Sequence, residues 1–148
     1  MRIYFDVCCF NRPFDDLSQD RVRLEAEAVK AIILRIGRRQ WAGVRSPVID
    51  FEISQMPDPD RLIEVGLMVG EMREVVALSE GDRDRALILN GFGFIGFDAL
   101  HLACAERAKV DVFLTTDDGL LKAALRNKDM LNVKVANPLK WFEETVRK

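Results

Sequence analysis

Between Ser18 and about Arg38 the apolar residues Val22, Ala26, Val29, Ile33 and Ile36 return every three or four positions with charges between them. That repeat predicts a long amphipathic helix with one buried stripe, ended by Gly37 or the Arg pair that follows it. The segments on either side have a different rhythm. Arg2 to Asp6 and Ala42 to Arg45 are short runs with no polar alternation, as expected of strands buried on both faces. Between the first strand and the long helix, Asn11-Arg12-Pro13-Phe14-Asp15-Asp16 is polar, and Pro13 predicts a loop here rather than a helix.

The remainder continues the alternation. Ser46-Pro47 offers a capping hydroxyl followed by proline at the first helical position, so a helix starts there and carries Glu52 in its second turn. Asp58-Pro59 opens another helix to about Val69, and Glu74 to Leu78 fits either a short extended piece or a helix end. Asp82 to Asn90 reads as helical up to the Gly91-Phe92-Gly93 turn, and Phe97 to Lys109 as a helix rich in Ala and Leu with Asp98 in its first turn. Asp111 to Thr115 is a strand, Asp117 to Asn127 a helix, Val133 to Ala136 a strand, and Pro138 to Arg147 a terminal helix. Short strands interleaved with helices predict an α/β fold, a three-layer sandwich whose mostly parallel, short-stranded central sheet is flanked by helices.

Composition narrows this only a little. A chain of 148 residues suits one domain over 1–148, and 49% hydrophobic residues are enough for a real core. No apolar run nears the roughly 20 residues that span a bilayer, and no signal-peptide pattern opens the chain, so a cytoplasmic protein is expected. Cys8, Cys9 and Cys104 lack the paired spacing of a zinc site or a disulfide framework and read as buried thiols. A net charge of −2 and a pI near 5.5 argue against a surface that is basic all over. Arg12, Arg21, Arg23, Lys30, Arg35, Arg38, Arg39 and Arg45 nonetheless crowd the first third, where a local basic rim or solvated helix faces are the two readings.

The chemistry lies in single acids set on apolar scaffolding: Asp6, Glu52, Asp98 and Asp117. In a parallel sheet, ligands collect beyond the carboxyl ends of the strands, where Asp6 and Asp117 stand. Glu52 and Asp98, near two helix starts, can border the same crevice. Two carboxylates about 4 Å apart repel by about 4 kcal/mol at an effective dielectric of 20, so four need a compensating charge. Oxygen ligands without a histidine or thiolate set point to Mg2+ or Mn2+, and hence to water activation and displacement at phosphorus.

Four blocks carrying these acids resemble the PIN domain, the family best known from the ribonuclease toxins of VapBC toxin–antitoxin pairs. They are Ile3-Tyr4-Phe5-Asp6, Ser46-Pro47-Val48-Ile49-Asp50-Phe51-Glu52, Phe97-Asp98-Ala99-Leu100-His101-Leu102-Ala103, which is the most specific, and Phe113-Leu114-Thr115-Thr116-Asp117. Position by position, Asp6, Glu52, Asp98 and Asp117 match the family's metal-coordinating acids. The resemblance implies an Mg2+- or Mn2+-dependent endoribonuclease acting on RNA, a homodimer, and an antitoxin protein as partner if the chain is a toxin. The loop from Cys8 to Asp16 looks like that of stand-alone bacterial PIN proteins instead.

One position departs from the family pattern. Val7 stands where a Thr or Ser commonly follows the first acid, and a methyl cannot support a carboxylate by hydrogen bonding. Asn11 or a water must then do so, or activity falls, which leaves a catalytically weak scaffold binding RNA or a protein partner as the alternative. A haloacid-dehalogenase-type phosphatase expects a second Asp two positions after Asp6, where Cys8 stands. Among neighbouring candidates, Asp50 and Asp118 face away from Glu52 and Asp117 on their helices. His101 reads as a packed histidine, Thr115, Thr116, Asn11 and Arg12 as possible contacts to metal or phosphate, and Phe92, Phe94 and Phe97 as core or dimer residues.

Overall fold

The computed structural model of the chain describes residues 1–147. The central strand β1 (Arg2–Phe5) buries Ile3, Tyr4 and Phe5 completely, so it needs cover on both faces. It pairs in parallel with β2 (Ala42–Arg45) on one side and β4 (Val112–Leu114) on the other, Ile3 lying opposite Gly43 and Val112. Two short strands, β3 (Glu74–Val75) and β5 (Val135–Ala136), complete an all-parallel sheet in the order β3-β2-β1-β4-β5. Gly43 is required in this sheet because a Cβ there would lie 2.3 Å from the Met72 sulfur and 3.1 Å from the Met72 Cα.

Helices cover both faces, as the pattern predicts. They are α1 (Val7–Asn11), α2 (Asp20–Gly37), α3 (Pro47–Ser54), α4 (Pro59–Gly70), α5 (Glu80–Asn90), α6 (Phe97–Arg107), α7 (Asp118–Arg126) and α8 (Pro138–Val146). Helix α2 packs against α8, where Trp41 meets Trp141 edge to face at 5.2 Å and the Arg35 guanidinium lies over the Trp41 and Phe142 rings. Helix α5 packs against α6, and α3 against both α4 and α6. None of the described helices is long and apolar enough to cross a membrane.

Three local expectations change. The segment after β1 is not a loop: α1 is followed by a 3-10 turn over Arg12–Phe14. Pro13 is accommodated because it falls in the first turn, where its missing N–H has no helical partner to lose, and burial of Cys9 and Phe10 holds α1 against the core. The hydroxyl of Ser46 does not cap α3; it turns inward to Tyr4 instead. Part of the basic first third is spent on structure. Glu25, only 1% exposed, accepts from Arg12 at 2.9 Å and Arg21 at 3.3 Å, while Arg21 also clasps Asp118 at 2.7 and 2.8 Å and Arg23 pairs with Asp20. No basic rim over this stretch forms from those three arginines.

Candidate functional site

The chain runs outward from β1 through β2 to β3 and then returns to the far side of β1 as β4, so the order of strands reverses between β1 and β4. The crevice beyond such a reversal is where open parallel sheets bind ligands. Asp6 follows β1 directly, and Thr115, Thr116 and Asp117 follow β4. Glu52 comes from the second turn of α3. Asp98 stands in the first turn of α6, set there by Gly96, whose φ of 57° and ψ of −135° let the chain turn sharply into the helix.

The acids share an electrostatic field. Burial, followed by the charges of Asp6 and Asp117, raises the Asp98 carboxyl to about 6, with Glu52 adding to the rise and His101 opposing it. Asp6 is 6% exposed, and burial pushes its carboxyl up to about 8, helped by the neighbouring Cys8. Cys8 Sγ lies 3.4 Å from Asp6 Oδ2, and a hydrogen bond from Cys9 pulls its thiol down to about 6 against the opposing effect of burial.

Three of the acids are each held by a different device. Thr115 Oγ1 donates to Asp6 Oδ2 at 2.8 Å and accepts from the Asp117 N–H at 3.1 Å. Asp117 Oδ1 accepts from the N–H groups of Gly119 at 2.8 Å and Leu120 at 3.2 Å, capping α7. His101 Nε2 lies 2.9 Å from Glu52 Oε1, and its Nδ1 lies 2.7 Å from the Tyr4 hydroxyl, which is 2.7 Å from Ser46 Oγ. Burial raises the Tyr4 phenol well above its usual range, which keeps it an O–H donor.

These contacts alter the sequence-based picture of what supports the acids. Val7 is 3% exposed and packs in the core, so a hydroxyl at position 7 would be turned away from solvent into apolar surroundings. Thr115, from the neighbouring strand, supports Asp6 in its place. Asn11 does not, since its side chain donates to the Val7 carbonyl. His101 is fully buried, as a packed histidine would be, yet it joins Glu52 to the core. Asp118 is engaged by Arg21, Asp50 lies 3.9 Å from Arg45, and Arg12 is bound to Glu25 and Asp15. Phe94 is a core residue, whereas Phe92 and Phe97 are exposed, Phe97 meeting Phe51 edge to face. All three cysteines are free, with Cys9 and Cys104 buried.

Among the described residues, no three or more His, Cys, Asp or Glu side chains are drawn to a common metal-ligating point. The donor chemistry nevertheless fits a hard cation. Asp6 Oδ1, Glu52 Oε2, Asp117 Oδ2 and both Asp98 oxygens receive no hydrogen bond among the described residues, and an Asp98 carboxyl raised by burial and by neighbouring acids is what such a cation relieves.

No protein-family model matches the chain, and no curated protein sequence matches it. Its fold is similar to that of a chain in the crystal structure of VapBC2 from Rickettsia felis bound to a DNA fragment from their promoter. That match has a TM-score of 0.56 and 12% identity, over 93% of this chain and 98% of that one. At this identity the likeness is one of fold.

Proposed function

We propose that the chain is a PIN-type nuclease that hydrolyses RNA phosphodiester bonds with Mg2+ or Mn2+ held by Asp6, Glu52, Asp98 and Asp117. This reading is carried by Asp6 and Asp117, which follow β1 and β4 on the two sides of the strand-order reversal, and is supported by the Asp98 carboxyl, raised first by burial and then by the charges of Asp6, Asp117 and Glu52. The shared fold with a VapBC2 chain supports it, and an antitoxin partner and a homodimer belong to the same reading. When bound, such a cation activates water and stabilises charge developing at phosphorus. The chain's own work is to place oxygens. Thr115 fixes Asp6, the cap of α7 leaves one Asp117 oxygen to the crevice, His101 occupies one oxygen of Glu52, and Gly96 sets Asp98 at the mouth.

The test is metal-dependent cleavage of single-stranded and structured RNA by the wild type and by Asp6→Asn, purified to exclude contaminating nuclease. Loss of cleavage in the variant supports the reading; equal cleavage means the assigned site is wrong. The second reading, an RNA- or protein-binding scaffold, is favoured by the absence of a closed ligand group among the described residues. It predicts RNA binding without product and no stabilisation by Mn2+.

A further inference from the structure

Three polar side chains from separate elements, Tyr4 of β1, Ser46 before α3 and His101 of α6, are completely buried beside the crevice. Buried polar groups persist when each has a partner, and here the partners form a single line: Ser46 Oγ, Tyr4 hydroxyl, His101 and Glu52, at 2.7, 2.7 and 2.9 Å. With a neutral imidazole against a carboxylate, the line has one consistent direction. A carboxylate only accepts, so His101 Nε2–H donates to Glu52 Oε1. In that tautomer Nδ1 is an acceptor, so Tyr4 donates to it, and Ser46 donates to the Tyr4 oxygen. Every member is satisfied by one arrangement of protons. The Tyr4 ring is itself fixed by stacking on Phe113, with centroids 5.4 Å apart and planes at 13°.

The line runs from the core to one oxygen of Glu52, the only member that is not fully buried. Ser46 gives up the capping of α3 to join it. We infer that Ser46, Tyr4 and His101 are positioning residues that hold Glu52 Oε1 and present Glu52 Oε2 alone to the crevice. The inference rests on the reading of Glu52 as a cation ligand, and a neighbour that orients a ligand through its second atom is a common support for metal sites.

The chain has one histidine, so a 15N-labelled sample gives a single imidazole spectrum. In the metal-free protein the spectrum is expected to show the proton on Nε2 and none on Nδ1; a proton fixed on Nδ1 alone overturns the relay whatever the protein binds. Function is read by Mn2+ titration. Tyr4→Phe keeps the ring and its stacking and is expected to weaken Mn2+ binding about tenfold, and His101→Leu by about tenfold or more. His101→Gln, which retains a donor toward Glu52, is expected to recover part of that loss. Adding His101→Leu to Glu52→Ala is expected to cost nothing further, since the histidine acts through the glutamate. Additive losses, or a lower melting temperature with unchanged Mn2+ affinity, overturn the inference. If the wild type binds no Mn2+ while the imidazole proton is on Nε2, the cation reading of the site fails and the hydrogen-bonded line stands.

Discussion

Replacing Thr115 by valine removes one hydroxyl and almost no volume at a position that is fully buried. That hydroxyl donates to Asp6 Oδ2 at 2.8 Å, accepts from the Asp117 N–H at 3.1 Å and lies 3.4 Å from Cys8 Sγ. Without metal, Asp6 is held protonated near neutral pH by its burial, so the first bond is a neutral one worth about 0.5–1.5 kcal/mol. The second loss leaves a backbone N–H without its partner, at about 1–3 kcal/mol if water does not reach it. Thr115→Val should therefore destabilise the metal-free protein by about 2–4 kcal/mol, read from urea unfolding. Binding a cation requires Asp6 to ionise, and a hydrogen bond to a charged acceptor is worth about 1.5–3 kcal/mol. The difference, about 1–1.5 kcal/mol, appears as a roughly tenfold loss of Mn2+ affinity by calorimetry. Thr115→Ser keeps the hydroxyl and should lose only the methyl contribution of about 1 kcal/mol in stability, with Mn2+ affinity unchanged. If Val and Ser variants bind Mn2+ equally, Thr115 does not support Asp6 and the reasoning fails.

Val7→Thr, which introduces the residue type that PIN domains commonly carry after the first acid, should cost about 1–3 kcal/mol by placing a hydroxyl among buried apolar neighbours, and should not raise Mn2+ affinity; a tighter-binding variant would show that position 7 does face the acids. Burial pushes the Asp82 carboxyl up, but the hydrogen bonds from Arg107 at 2.8 and 3.0 Å and from the Ser79 N–H at 2.9 Å prevail, and its net shift is downward. A carboxyl lowered in the folded state stabilises above its unfolded pKa of about 3.9, and that contribution is lost as pH falls through the folded value. Asp82→Asn should thus be less stable than wild type at pH 7 by roughly 1–3 kcal/mol, a gap that closes in acid; a gap constant from pH 7 to pH 2 contradicts it. Alkylation of the metal-free protein should modify Cys8 first, its rate rising around pH 6 rather than near the 8.5 of an ordinary thiol, because the Cys9 hydrogen bond favours the thiolate, while Cys9 and Cys104 stay unreactive; peptide mapping across pH checks this, and modification of Cys9 before Cys8 would refute it.

The long helix α2 and the buried strands β1 and β2 were legible in the sequence because apolar spacing reports burial over a few consecutive residues, a local property. The five-residue α1 was not, since so short a helix completes barely one turn and has no repeat to detect, and Pro13 pointed the wrong way. At the site, the positions of Asp6 and Asp117 followed from the strand ends they terminate. What supports them did not. Tyr4 meets Ser46 and His101 across 42 and 97 positions, and Thr115 meets Asp6 across 109, pairings created only when β1, β4, α3 and α6 assemble. Val7 looked deficient because the sequence does not tell which way its side chain points. Ser46 had the residue type and place of a helix cap, and only the packing of Tyr4 beside it turned the hydroxyl inward.

The central claim is that Asp6, Glu52, Asp98 and Asp117 act together on one divalent cation, and calorimetric titration of Mn2+ into wild type and Asp6→Asn tests it most directly. Wild type should bind with release of protons between pH 6 and 8, because Asp98 and Asp6 are raised to about 6 and about 8 and must ionise to ligate. Asp6→Asn should bind at least tenfold more weakly with fewer protons released. No Mn2+ binding by the wild type, or equal binding and proton release by both, would contradict the account.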